Sequence, residues 1–104
     1  MLSDGTLIVM HDSNFKRTAG EDVCVWDTEA DVLSTLEVGS TFSAAYRGEQ
    51  IPTLEEMLAC AGDRITLMIE LKYTGQEQEL EENVLALLQE YDMVDECIIG
   101  SMNR

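Results

Sequence analysis

From Thr53 onward the apolar residues change period again and again, and that alternation limits the folds open to the chain. Leu54, Met57, Leu58 and Ala61 recur at helical spacing. Thr53 with Glu56 matches a capping box at the start of this helix, and Gly62 is placed to stop it in the left-handed conformation. Ile65-Thr66-Leu67-Met68-Ile69-Glu70-Leu71-Lys72 then reads as a buried strand. Tyr73-Thr74-Gly75 reads as a loop. From Gln76 to about Tyr91 the helical period returns, with Leu80, Val84, Leu87, Leu88 and Tyr91 on one face and Glu77, Glu81, Glu82 and Glu90 largely elsewhere. Cys97-Ile98-Ile99-Gly100 begins another strand. Helix, strand, helix, strand predicts an α/β fold of parallel βα units with covering helices.

The strand Ile65–Lys72 ends oddly. Residues two apart on a strand share a face, so Thr66, Met68, Glu70 and Lys72 point one way and Ile65, Leu67, Ile69 and Leu71 the other. Stability gives an apolar strand no reason to end with Glu and Lys on one side. A binding site does, because a carboxylate can hold a cation and a lysine can meet an anion.

The first half is less regular. Asp4-Gly5 marks a turn. Thr6-Leu7-Ile8-Val9-Met10 reads as a short buried strand that stops at His11-Asp12. Ser13 to Gly20 reads as a loop, and Val23 to Trp26 as a brief strand or packed loop. Thr28 to Leu36 carries Ala30, Val32, Leu33 and Leu36, which suggests a short helix or helical turn, with Asp27 or Thr28 as N-cap and Gly39 closing it. Ser40 to Gln50 reads as a loop. A length of 104 residues suits one small domain.

Charge excludes some partners. With 21 acidic against 6 basic residues the formal net charge is -15. Such a field repels phosphate backbones and anionic membranes, so nucleic-acid binding is not expected. A small phosphate-bearing substrate, offset locally by a metal ion, is compatible with it. Cys24, Cys60 and Cys97 are odd in number and widely spaced. No disulfide framework or zinc site is expected, and the reducing cytoplasm is the expected location. No apolar run approaches the roughly 20 residues that cross a bilayer. Membrane attachment is expected only through segments of a longer parent chain.

Few residues are candidates for chemistry. His11 is the only histidine and sits where an apolar strand is expected to end, the position at which parallel α/β sheets gather their sites. Histidine changes charge in the physiological range, as proton transfer requires, although a lone histidine is more often structural. Glu70 sits at a strand end too. Hard cations take oxygen ligands, and an ion pair with Lys72 is the plainer alternative. Phosphate-binding and dinucleotide-binding glycine motifs are absent, as are nucleophile-elbow, CxxC and HExxH patterns.

Taken in order, Asp4-Gly5, His11-Asp12, Arg17-Thr18 with Gly20, Gly39, Ile51-Pro52-Thr53-Leu54-Glu55-Glu56, Ile69-Glu70-Leu71-Lys72, and Ser101 with Asn103 resemble the glycerophosphodiester phosphodiesterase family through essentially the whole chain. The resemblance implies a TIM (β/α)8 barrel of the PLC-like phosphodiesterase type. It also implies hydrolysis of glycerophosphodiesters to glycerol 3-phosphate and an alcohol, with a divalent metal, calcium or magnesium. It matches His11 to one of two catalytic histidines, Glu70 to a metal ligand and Lys72 to a lysine near the substrate phosphate. Asp12 belongs to the motif with no assigned role.

The family's His-Arg-Gly and Glu-x-Asp motifs, which would supply the second histidine and the remaining metal ligands, are not among these 104 residues. A complete barrel has about 250 residues. The chain is therefore expected to be a single partial domain over residues 1–104, inactive in isolation. Exposed sheet edges are expected to drive homo-oligomerisation. The alternative is a non-catalytic α/β interaction or assembly module derived from that fold.

Overall fold

The computed structural model describes residues 1–62, 64–73 and 79–101. The chain divides into two compact units, Met1–Thr53 and Leu54–Arg104.

The first unit has little regular structure and is organised by its core. Leu2, Phe15, Val25, Leu33, Leu36 and Ile51 form one buried cluster, with Ile8, Met10, Ala19, Ala30 and Val38 packed partly against it. Strand β1 (Asn14–Phe15) pairs antiparallel with β2 (Glu21–Cys24) around the four-residue helix α1 (Lys16–Ala19). Gly20 closes α1 at φ 76°, and its N–H donates to the Lys16 carbonyl at 3.0 Å. A β-carbon disfavours that left-handed conformation. The stretch expected as a loop over 13–20 is thus a small hairpin, and Val25–Asp27 continues it as a 3-10 turn.

Three expectations for this unit are corrected. Thr6–Met10 forms no strand of a parallel sheet. Ile8 makes one isolated antiparallel bridge with Thr53, and the Val9 N–H donates to the Pro52 carbonyl at 3.0 Å. Pro52 has no N–H to return, so the ladder cannot extend. Second, the helical turn expected over 28–36 is present as a 3-10 turn at Ala30–Thr35, but the residue that precedes it is Glu29, with no side-chain cap, rather than Asp27 or Thr28. Its first N–H, from Ala30, donates instead to Asp4 Oδ2 at 2.9 Å, from a residue 26 positions away. Thr28 is buried because its hydroxyl donates to the Cys24 carbonyl at 3.0 Å, which offsets desolvation. Third, Gly39 does not close that turn. It is buried and opens another 3-10 turn, Gly39–Thr41, where a β-carbon would lie 2.7 Å from the Tyr46 carbonyl carbon and 2.9 Å from Glu49 Cβ.

The second unit follows the predicted alternation. Helix α2 (Leu54–Ala61) buries Leu54, Leu58 and Ala61, and Gly62 stops it at φ 55°. Helix α3 (Leu80–Glu90) buries Leu80, Val84 and Leu88. The start expected for α3 at Gln76, with Glu77, and the expected loop at Thr74-Gly75 lie outside the described residues. At the other end of α3, Asp92 adopts φ 53°, the Asp92 N–H donates to the Gln89 carbonyl at 3.1 Å and the Met93 N–H to the Leu88 carbonyl at 2.8 Å. This pair of bonds is a Schellman stop. Leu88 and Met93, the residues such a stop brings together, are both almost fully buried.

Strands β3 (Leu67–Leu71) and β4 (Cys97–Ser101) pair parallel in the register Leu67↔Cys97, Ile69↔Ile99 and Glu70↔Gly100. Parallel strands need a long crossover, and α3 lies between them in the chain. The expectation of a wholly buried strand is corrected. Leu71 is buried and Leu67 and Ile69 half-buried, but Met68 is 79 % exposed and Ile98 58 % exposed. Side chains alternate along β3 as a period of two requires, so one face is covered while the other presents Met68 and Glu70 to solvent. Among the described residues no helix is long and apolar enough to cross a membrane.

Candidate functional site

The candidate residues form two clusters, one in each unit. In the first, His11 and Asp12 lead into the hairpin. Phe15, with no exposed surface, anchors that hairpin in the core. The Val25 N–H donates to the Ser13 carbonyl at 2.9 Å, and the Asn14 side chain accepts from the Lys16 N–H at 3.0 Å. These bonds set the start of α1 and bring Arg17 back toward Asp12.

Arg17 grips both oxygens of that carboxylate, Nε donating to Oδ2 at 2.7 Å and Nη2 to Oδ1 at 2.9 Å. His11 Nδ1 lies 2.9 Å from Asp12 Oδ1. The Arg17 guanidinium, and after it His11, hold the Asp12 carboxyl well below the usual carboxylate range. Asp12 in turn raises Arg17. The imidazole itself is open to solvent, with its side chain 77 % exposed.

In the second cluster, Glu70 points to the open face of β3 beside Met68, and Gly100 lies opposite it in β4. Gly100 has no side chain and nothing stands where one would be, so the carboxylate faces open space on that side. Lys72, just past the strand, places Nζ 3.0 Å from Glu70 Oε1. The structure therefore brings Glu70 and Lys72 together as an ion pair, and joins His11 to Asp12 and Arg17.

The Asp12–Arg17 fork was not legible in the sequence. A pair five residues apart matches neither the three- nor four-residue spacing of helical neighbours, and only the turn through β1 and α1 closes it. The resemblance included both residues but gave Asp12 no role.

A divalent cation needs more than the described residues offer. Calcium takes six to eight oxygen ligands, and magnesium an octahedral set. Among the described residues no group of three His, Cys, Asp or Glu side chains could hold a metal ion. Glu70 would be one ligand, already paired to a lysine, so these residues do not make a complete cation site.

Comparison with known proteins agrees with this partial picture. The chain is 33% identical over 110 residues to a glycerophosphodiester phosphodiesterase of Caldanaerobacter subterraneus subsp. tengcongensis, covering all of this chain and 44% of that protein. The crystal structure of glycerophosphodiester phosphodiesterase from Agrobacterium tumefaciens superposes with a TM-score of 0.87 at 29% identity, over 97% of this chain and 42% of the other. A phosphodiesterase of Oleispira antarctica, solved in complex with the product sn-glycerol-3-phosphate, gives a TM-score of 0.85 at 29% identity, over 99% of this chain and 43% of the other.

The chain thus spans less than half the length of these relatives. Its α/β fold is a partial TIM barrel, as the resemblance implied. The glycerophosphoryl diester phosphodiesterase family matches it over residues 1–102, nearly its whole length, and the chain belongs to that family.

Proposed function

We propose that this chain is part of the catalytic domain of an enzyme that hydrolyses glycerophosphodiesters to glycerol 3-phosphate and an alcohol. The observation that carries this is the family match over residues 1–102, which includes His11-Asp12 and Glu70 through Lys72. The relative solved with sn-glycerol-3-phosphate supports the substrate class.

Hydrolysis adds water to phosphorus and breaks the bond from phosphorus to the alcohol oxygen. One proton leaves the attacking oxygen and one reaches the departing alcohol. In this reading His11 carries one of those transfers. Lys72 offsets phosphate charge, which matters in a chain of net charge -15. Glu70 supplies one oxygen ligand to a divalent cation, calcium or magnesium, whose remaining ligands come from other residues. With one histidine, the 104 residues cannot provide two-histidine acid–base chemistry, and the isolated chain is expected to be inactive.

The test is a chimera in which residues 1–102 replace the matching segment of the Caldanaerobacter relative. Release of glycerol 3-phosphate by the chimera, lost on His11→Ala and on Glu70→Gln while the protein stays folded, is the expected result. A folded chimera indifferent to both substitutions would refute the assignment.

The apolar surface of β3 and β4 favours a second reading, in which the chain acts as an assembly module. Met68 and Ile98, opposite each other in the register, are both exposed, and apolar groups of this kind favour association. Self-association in solution belongs to this reading.

A further inference from the structure

Asp12 stands between a histidine and an arginine, bonded to both. Oδ1 faces His11 Nδ1 at 2.9 Å and also accepts from Arg17 Nη2 at 2.9 Å, while Oδ2 accepts from Arg17 Nε at 2.7 Å. Surface ion pairs of this kind add little stability, so stability is a weak reason for the arrangement.

We propose that Asp12 and Arg17 are positioning residues for His11: Asp12 accepts a proton-bearing Nδ1 and so presents Nε2 to the substrate, and Arg17 fixes the Asp12 carboxylate in place. The proposal rests on the reading of His11 as a proton carrier. It adds to that reading which ring nitrogen does the chemistry and what aims it.

Donors and acceptors decide the tautomer. An ionised carboxylate can only accept, so a bond from it to Nδ1 requires the proton on Nδ1. Arg17 holds Asp12 ionised, its carboxyl lying well below the usual range. The neutral ring is then Nδ1–H, and the Nε2 lone pair is free to take a proton from water or a hydroxyl. The imidazolium so formed faces the Asp12 carboxylate, which balances its charge. Because the imidazole is largely exposed, packing constrains it little, and the bond to Asp12 is what orients it. The Arg17 fork has two donors in a fixed plane, which a lysine cannot reproduce.

Nitrogen-15 NMR of the ring in the 104-residue chain tests this directly. The single histidine makes the signals unambiguous. The expected neutral tautomer is Nδ1–H. Asp12→Ala should remove that preference, and Arg17→Ala should weaken it. Amide dispersion reports whether each variant is folded. A wild-type ring protonated on Nε2 when neutral would overturn the proposal without any variant. So would an unchanged tautomer in folded Asp12→Ala. If Asp12→Ala unfolds, Arg17→Ala decides, and an unchanged tautomer there removes Arg17 from the role. The tautomer is read without turnover, whereas the enzymatic reading fails if the chimera keeps its activity on His11→Ala, so the two failures are distinct.

Discussion

Glu70 Oε1 and Lys72 Nζ lie 3.0 Å apart at the carboxyl end of β3, both partly open to water. The pair is too exposed to do much for folding. It keeps a carboxylate and an ammonium side by side on the uncovered side of a parallel strand. Glu70→Gln or Lys72→Ala should therefore change stability by no more than about 1 kcal/mol in urea denaturation. In the chimera, Lys72→Ala should raise KM for the phosphodiester more than it lowers kcat. Glu70→Gln should remove turnover.

Gly39→Ala should be costly for a reason unrelated to helix ends. The new methyl would meet the backbone of Tyr46, at 2.7 Å from its carbonyl carbon, and Glu49 Cβ at 2.9 Å. Backbone cannot swing aside like a side-chain tip, so the turn must shift. Overpacking of this kind costs about 1–3 kcal/mol. The thermal unfolding midpoint should fall clearly, whereas Gly100→Ala, with open space at its β-carbon, should leave that midpoint nearly unchanged.

Asp12 should also give the first unit an acid-sensitive component. Arg17 and His11 lower its carboxyl in the folded chain, so folding favours the ionised form. That contribution is present above the ordinary carboxylate value of about 3.9 and is lost as pH falls toward the lowered folded value. The stability difference between wild type and Asp12→Asn should shrink below about pH 4. Comparing the two proteins at each pH cancels the general relief of negative charge on acidification. A difference that grows on acidification would contradict the assignment.

Association should depend on the uncovered face of β3 and β4. Sedimentation at several protein concentrations should show self-association of the wild type. Met68→Lys and Ile98→Lys should shift it toward monomer with the helical circular dichroism unchanged. Screening the net charge of -15 with salt should strengthen association, because like-charged copies repel within about 10 Å at moderate ionic strength.

The order of elements in the second unit and the family were legible in the residues alone. The apolar faces of α2 and α3, the stop at Gly62, the order of helices and strands and the face shared by Met68 and Glu70 follow from local periods of 3.6 and 2 residues, which side-chain burial enforces directly. The first unit depends on contacts between residues far apart in the chain. There Asp4 caps a turn 26 residues away, Pro52 cuts short the pairing of Ile8, and Arg17 returns to Asp12 around a hairpin. None of these contacts has a period, so no local pattern encodes them. They exist because Leu2, Phe15, Val25 and Ile51 must share one core, and that core folds the chain back until distant polar groups meet.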